Sequence, residues 1–167
     1  MPARHPPPPG DRRSAARLRA VQALYQIDLN AAAADVVVDE FLTHRVAEEI
    51  DGTVLAAPSA RLLRQIVEGA TAEAQAIDAL IDGAVTRQGG VKRLERVLVA
   101  ILRAAVFELK SRPELDAAVV INEYVDLAHA YYAGAEPGLV NGILDRVART
   151  LRPPGTEDHI GQADDTG

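Results

Sequence analysis

Cysteine is absent from this 167-residue chain, which excludes disulfide bonds, thiolate metal sites and cysteine nucleophiles. No apolar run approaches the roughly 18 residues that a membrane-spanning helix needs. The first residues also lack an apolar stretch resembling a secretory signal. We therefore expect a cytoplasmic protein that is not embedded in a membrane.

Catalytic motifs are equally scarce. The sequence shows no phosphate-binding loop, no Gly-x-Ser-x-Gly turn and no Gly-x-Gly-x-x-Gly after a strand. Glu40 with His44, and Asp126 with His129, have spacings that place a carboxylate and an imidazole on one helix face. A metal site in a helix bundle needs such groups on more helices, so solvated helix surfaces explain all four residues. We expect no enzyme activity, no metal and no cofactor.

Helical periodicity recurs along the chain whereas strand alternation is rare, so the sequence predicts an all-α fold. Its hydrophobic content of 48% is enough for one compact domain with a core. We predict a flexible proline-rich arm over residues 1–10, a single helical domain over 11–153 and a disordered acidic tail over 154–167.

Six helices are predicted by apolar residues at helical spacing. The fourth is so apolar that we expect it to be central, with Ile101 or Leu102 fully buried. The glycine pair at 89–90 divides the domain into halves of about 11–84 and 91–152, which we interpret as two three-helix bundles sharing one core. The apolar residues of the six helices lie between 18 and 25, 38 and 46, 63 and 81, 94 and 109, 120 and 128, and 139 and 147.

Capping residues set several boundaries of these helices. We predict Asp11 and Ser59 as N-caps of the first and third helices, with Pro113 ending the fourth. Pro137 suits the first position of the sixth helix. Gly142 falls inside that helix, where we expect it to let two helices approach closely.

Positive charge is concentrated at the amino end of an acidic protein. Residues 1–19 carry a net +4, which leaves −10 for the remainder of a chain whose net charge is −6. Arginines at a helix start oppose the helix dipole, so local stability does not explain them. Guanidinium groups bind phosphate in a bidentate manner and stack on bases. The pattern favours an RNA contact, with a solvated helix start as the alternative; the arginines are Arg4, Arg12, Arg13, Arg17 and Arg19.

Two further features have a functional and a structural interpretation. Lys92, Arg93 and Arg96 are either a solvated helix start or a second basic cluster that flanks the first and extends a phosphate track. Tyr25 is either an aromatic at the edge of the core or a ring that stacks on a base.

Four runs of this sequence, in this order and spacing, resemble the NusB family of bacterial transcription antitermination factors. They are RRSAARLRAVQALYQ, LVAILRAAVFEL, VVINEYVDLAHAY and LVNGILDRVARTLRP, and the similarity covers about residues 12–153. The resemblance implies a helical domain of two three-helix halves that pairs with the small-subunit ribosomal protein NusE. It also implies that the heterodimer binds boxA RNA of nascent ribosomal transcripts and joins the antitermination complex of RNA polymerase.

The resemblance assigns individual positions. It places the RNA-binding stretch on Arg12, Arg13 and Arg17, with an aromatic at Tyr25. The closing motif falls on Asn141, Gly142 and Asp145, and we include Asn141 and Lys92 among the RNA-binding candidates.

This chain departs from the family pattern in three places. Ser14 and Ala15 interrupt the basic run, which shifts the expected RNA contact toward Arg19 and Arg4. Gly138 and Leu139 replace a Lys-Phe pair, which removes a phosphate partner and a stacking ring. Leu98 replaces an acidic residue of the fourth helix, so we expect Glu95 to contact a basic partner, together with Arg103.

Two functions follow as hypotheses. The first is a non-catalytic RNA-binding antitermination factor that acts as a heterodimer with a NusE-like protein. The alternative is a protein–protein adaptor of the transcription or ribosome-assembly machinery that does not bind RNA directly. The sequence leaves open whether the free protein is a monomer or a homodimer.

Overall fold

The computed structural model describes residues 12–44, 49–50, 53–54, 59–85 and 90–153. Within these ranges the chain forms seven α-helices, and a 3₁₀ turn at Gly90–Arg93 leads into the fifth. The two-residue strands β1 (Glu49–Ile50) and β2 (Thr53–Val54) pair antiparallel, which the sequence did not predict. The all-α fold is confirmed. Its helices are α1 (Arg12–Asn30), α2 (Ala34–His44), α3 (Ala60–Ala72), α4 (Ala74–Ala84), α5 (Arg96–Ser111), α6 (Ala117–Tyr131) and α7 (Glu136–Leu151).

Several predictions fall outside the described residues. These are the arm over 1–10 with Arg4, the N-cap at Asp11, the glycine at 89 and the tail over 154–167. In the described part of the chain, none of the helices combines the length and the apolar content that a membrane crossing requires.

The long third helix predicted from the sequence is in fact two helices, α3 and α4, which meet at Glu73. Glu73 has φ −103° and ψ 19°, so the backbone leaves helical geometry at this residue. Two residues earlier, the hydroxyl of Thr71 donates a hydrogen bond of 2.7 Å to the carbonyl of Val67. Such a bond back to the preceding turn bends helices. Apolar periodicity alone does not reveal this bend, since Ala70 and Ile77 are both buried, one on each side.

The predicted caps agree with the structure where it describes them. The Ser59 hydroxyl accepts a hydrogen bond of 3.4 Å from the backbone N–H of Leu62, so Ser59 is the N-cap of α3. Helix α5 ends at Ser111, two residues before Pro113. Pro137 is the second residue of α7, one position later than predicted.

Helix α5 is central, as its apolar sequence predicts. It packs against α1, α3, α4, α6 and α7, and both Ile101 and Leu102 are fully buried. One continuous apolar core contains residues from all seven helices. The first half of the domain therefore contributes four helices to this core and the second half three, rather than three each.

The close helix approach expected at Gly142 occurs instead at Gly69. A Cβ added at Gly142 would meet only the side chain of Arg146, at ordinary contact distances from 3.7 Å. A Cβ at Gly69 in α3 would overlap the ring of Phe107 in α5. Gly69 is therefore the glycine whose missing side chain lets two helices pack closely.

Candidate nucleic-acid interface

The arginines of α1 divide into two pairs by burial. Arg12 and Arg13, in the first turn, are exposed, whereas Arg17 and Arg19 are only 5% and 6% exposed. A guanidinium inside the protein cannot neutralise an RNA phosphate without leaving its partners. The geometry therefore supports an RNA contact for the first pair and does not support one for the second.

Arg17 takes part in a buried ionic network that joins three helices. Its Nε and Nη2 donate to the two carboxylate oxygens of Glu108 at 2.8 and 3.1 Å. The Tyr124 hydroxyl donates to the same carboxylate at 2.5 Å, and Arg112 donates to it at 3.2 Å. Glu108 is fully buried, and its two oxygens are satisfied by these four hydrogen bonds. Arg17 thus has a structural role that fixes α1 against α5 and α6.

Glu108 shifts the pKa of two of its neighbours in this network. Burial by itself would lower the pKa of Arg17, but the hydrogen bond and charge of Glu108 outweigh it, so this pKa is raised. Burial and the charge of Glu108 together raise the pKa of Tyr124 well above its ordinary value. Near neutral pH, Arg17 is therefore cationic and Tyr124 is protonated.

Arg19 also faces neighbouring side chains rather than solvent. Its Nη1 donates to Gln22 at 3.1 Å. Burial raises the pKa of Tyr131, and the hydrogen bond of Gln22 and the positive charge of Arg19 oppose that rise. Arg19 therefore lies beside Tyr131 of α6.

The exposed pair of arginines borders a polar groove at one end of the molecule. The start of α1 is tied to the start of α3, since the backbone N–H of Ser59 donates to the carbonyl of Arg12 at 3.0 Å. The end of α5 closes the third side. We call this the arginine groove; it is lined by Arg13, Ser59, Arg61, Leu62, Gln65, Ser111, Arg112 and Glu114.

Sequence reasoning missed Arg61 and Arg112 as neighbours of Arg13. Arg13 lies in α1, Arg61 in α3 and Arg112 at the C-cap of α5, far apart in the sequence, so no basic run connects them. Neither α1 nor α3 has an acidic residue in its first turn. The helices α4, α5 and α6 share this feature, so it does not single out the start of α3 in the sequence.

Tyr25 lies in a second groove, which is mostly apolar and is formed by α1, α2, α5 and α6. The ring is half-buried at the edge of the core, as its structural interpretation expected. Leu29, on the same helix, is 47% exposed. We call this the apolar groove; its lining residues are Val21, Gln22, Tyr25, Gln26, Leu29, Phe41, Val97 and Tyr131.

The second basic cluster does not flank the first, contrary to the sequence-based hypothesis. Arg96 lies 3.9 Å from Asp28 near the end of α1, while Arg17 near its start contacts Glu108 near the end of α5. Helices α1 and α5 are therefore antiparallel. Since Asp28 is about 24 Å along α1 from Arg12, the cluster with Lys92 lies at the opposite end of that helix. Lys92 itself is exposed.

The two predicted partner residues differ in their surroundings. Glu95 is exposed at the N-cap of α5, close to Tyr132, whose pKa is raised first by burial and then by Glu95. Among the described residues, the Tyr132 hydroxyl and Glu136 Oε2 are buried without a hydrogen-bond partner. Arg103 instead forms two 2.8 Å hydrogen bonds with Asp78.

Arg103 acts mainly within the protein. Besides its bonds to Asp78, its Nη1 lies 3.7 Å from Asp28. The hydrogen bond to Asp78 raises the pKa of Arg103, although partial burial of the guanidinium opposes that rise. Its contact with a partner stays a prediction, because the guanidinium of Arg103 is already engaged with Asp78 and Asp28.

The closing motif lies on α7. Asn141 is exposed, as an RNA contact requires, and Asp145 is ion-paired with Arg149 at 3.0 Å. A Cβ at Gly138 would meet no atom within 4 Å, so this surface is open where the family pattern has a larger side chain. In the described ranges, no three His, Cys, Asp or Glu residues converge as a metal site would require.

Comparison with known proteins gives a consistent assignment. The model of the NusB family matches residues 14–149. The transcription antitermination protein NusB of Allorhizobium ampelinum is 43% identical over 144 residues, covering 86% of this chain and 90% of that protein. NusB of Rhodopseudomonas palustris is 40% identical over 151 residues, covering 88% of this chain and 89% of that protein.

Solved structures show the same fold. The structure of T. maritima NusB superposes with a TM-score of 0.71 at 25% identity and covers 86% of this chain and 94% of that one. A structure of antitermination factors NusB and NusE in complex with double-stranded RNA gives a TM-score of 0.69 at 23% identity, with 83% and 97% covered. From the family match and the identity of its relatives, we conclude that this chain belongs to the NusB family.

Proposed function

We propose that this protein is a non-catalytic transcription antitermination factor that binds boxA-type RNA together with a NusE-like ribosomal protein. The observation that carries the proposal is the exposure of Arg12 and Arg13 at the start of α1, on a chain whose net charge is −6. Two exposed guanidinium groups at one edge of an acidic protein suit a confined phosphate contact and not the wrapping of a duplex. Family membership supports the same function, and association with nascent transcripts places it in the cytoplasm.

We place the partner at the other end of α1, on the apolar groove. Leu29 and Tyr25 offer apolar contact area there, and Glu95 is an exposed carboxylate at the N-cap of α5, two residues before Val97 of the groove. Glu95 is therefore the acidic group that we assign to a basic ribosomal protein.

RNA binding is tested by fluorescence anisotropy with a boxA-type RNA at several salt concentrations, for the protein alone and with its partner. Neutralising Arg12 and Arg13 (Arg12→Gln with Arg13→Gln) should reduce the slope of log K against log salt by about 1.4, since each phosphate contact on a single strand contributes about 0.7. Arg17 is left intact because its loss would disrupt the core.

A matched control removes the same two charges elsewhere. Arg64→Gln with Lys110→Gln alters cations that already pair with Asp39 and Glu73 at 2.8 and 2.9 Å, so we expect no change in slope. If the two double variants give the same slope of log K against log salt, Arg12 and Arg13 are not the RNA contact.

The partner site is tested by Leu29→Ser, with Val119→Ser as control. Both residues are apolar and about half exposed, but Val119 is outside the apolar groove. Burying a fully exposed leucine contributes about 1.5–3 kcal/mol, and Leu29 is 47% exposed before the partner binds, so Leu29→Ser should weaken the heterodimer roughly three- to twelvefold in titration calorimetry. Equal affinities of the two variants would place the partner elsewhere.

A further inference from the structure

We propose that the arginine groove is a phosphate-binding subsite that carries the RNA backbone from the start of α1 onto Arg61 of α3. This inference rests on the RNA binding proposed above and extends it to a residue outside the arginine-rich run. The subsite would take a backbone phosphate of single-stranded RNA.

The position of Arg61 is fixed by the junction of two helix starts. The backbone bond between Ser59 and Arg12, at 3.0 Å, places the first turns of α1 and α3 side by side. Arg13 and Arg61, in those two first turns, both line the groove. Helix starts carry a partial positive charge from their unpaired N–H groups, and this charge adds to that of the guanidinium groups.

Arg61 differs from the next arginine on the same helix. Arg64 is paired with Asp39 at 2.8 Å and with Glu68 at 3.0 Å. Arg61 is exposed and forms no ion pair with any residue that the structure describes. Its charge is therefore available to a ligand, whereas that of Arg64 is already compensated within the protein.

Apart from the carboxylate of Glu114, which is paired with Arg112, the remaining lining residues fit a phosphate group. Ser59, Gln65 and Ser111 are neutral and polar, and Leu62 is the single apolar residue among those that line the groove. Arg112 closes the groove, but Glu108 and Glu114 hold it at 3.2 and 3.3 Å. We therefore assign the added phosphate contact to Arg61. Arg112 lines the groove, but its charge is already compensated within the protein.

The test compares Arg61→Gln with Arg64→Gln in the same anisotropy titrations, with the partner present. Removing one phosphate contact should lower the salt slope by about 0.7 and weaken binding roughly three- to fivefold near 0.15 M salt. Arg64→Gln removes the same charge one turn away and should change neither quantity. Arg61→Lys keeps the charge and should keep the slope.

The outcomes separate this subsite from RNA binding in general. If the wild-type heterodimer does not bind the RNA, the proposed function is overturned and the subsite with it. If the wild type binds and Arg61→Gln matches Arg64→Gln in slope and affinity, only the subsite is overturned. Thermal melts of all variants confirm that a loss of binding does not come from unfolding.

Discussion

At the scale of single residues, the four arginines of α1 show that environment decides the role of a charge. Arg12 and Arg13 face solvent, whereas Arg17 is held by Glu108 in the interior. A signal for this was present in the sequence, since Glu108 stands among the apolar residues of the central helix α5. A buried carboxylate needs a cation and hydrogen-bond donors, but the sequence alone cannot say which arginine supplies them.

Glu108 should be among the most sensitive positions of the protein. Glu108→Gln removes the buried counter-charge of Arg17 and leaves only the half-buried Glu123, at 3.6 Å. Breaking a buried pair in this way costs about 3–5 kcal/mol. Chemical denaturation measures the loss. Glu114→Gln is the control, because Glu114 contacts the same Arg112 at the surface and its loss should not be measurable. A loss below about 1 kcal/mol for Glu108→Gln would contradict a stabilising role for the network.

Tyr124 should make the protein sensitive to alkaline pH. Because its pKa is raised in the folded state, the folded protein retains a proton that the unfolded chain releases above about pH 10. The contribution of Tyr124 to the free energy of unfolding is complete below that pH. Above it, this contribution declines by up to about 1.4 kcal/mol per pH unit. Urea denaturation of wild type and Tyr124→Phe from pH 8 to 11 should give a shallower decline for the variant. If the stabilities of wild type and variant declined in parallel with pH, the raised pKa of Tyr124 would be contradicted.

At the scale of helices, apolar periodicity predicted the number and order of elements well except at one bend. It located α5 as the central helix and α1, α2, α6 and α7 in order, because their buried faces repeat at helical spacing. It joined α3 to α4, because the Thr71 hydrogen bond that bends the chain does not disturb the apolar pattern. It also placed the close helix contact at Gly142, since nothing in a sequence states which helix faces a glycine.

Gly69 and Phe107 should be energetically coupled. Gly69→Ala would push against the Phe107 ring, and such overpacking costs about 1–3 kcal/mol. In a Phe107→Ala background the same substitution should stabilise the protein by up to about 1 kcal/mol, because alanine favours helix more than glycine does. A double-mutant cycle by chemical denaturation measures the coupling. Additive effects would mean that the ring moves aside without cost.

Leu102 tests the central position of α5. It is fully buried in the helix that contacts both halves of the domain, so Leu102→Ala should cost about 2–5 kcal/mol. Val119→Ala, at a site 51% exposed, serves as the comparison and should change stability little. A loss below about 1 kcal/mol at Leu102 would mean that the surrounding helices collapse into the space left by the side chain.

At the scale of the whole molecule, the proposed RNA site and the proposed partner site lie at opposite ends of α1. Its start carries exposed arginines beside the arginine groove, and its end carries Leu29 and Asp28 beside the apolar groove. The sequence identified the arginine-rich run, since it is contiguous. It could not identify Arg61 as its neighbour or separate the Lys92 cluster from it, because both depend on how α3 and α5 pack against α1.

This separation leads to a prediction about linkage between RNA and partner. Both ligands contact α1, and a partner that fixes one end of this helix pre-organises the RNA contact at the other end, so we expect a coupling of about 1–3 kcal/mol. Thermodynamic reciprocity requires that RNA strengthen the heterodimer by the same factor by which the partner strengthens RNA binding. Titration calorimetry of each binary and ternary step measures both factors.

The variant Leu29→Ser provides the control for this linkage. At partner concentrations that saturate the wild type but not the variant, it should bind RNA with the affinity of the free protein, because its arginines are intact and only the partner contact is weakened. A stable wild-type heterodimer with no gain in RNA affinity would instead favour the adaptor function.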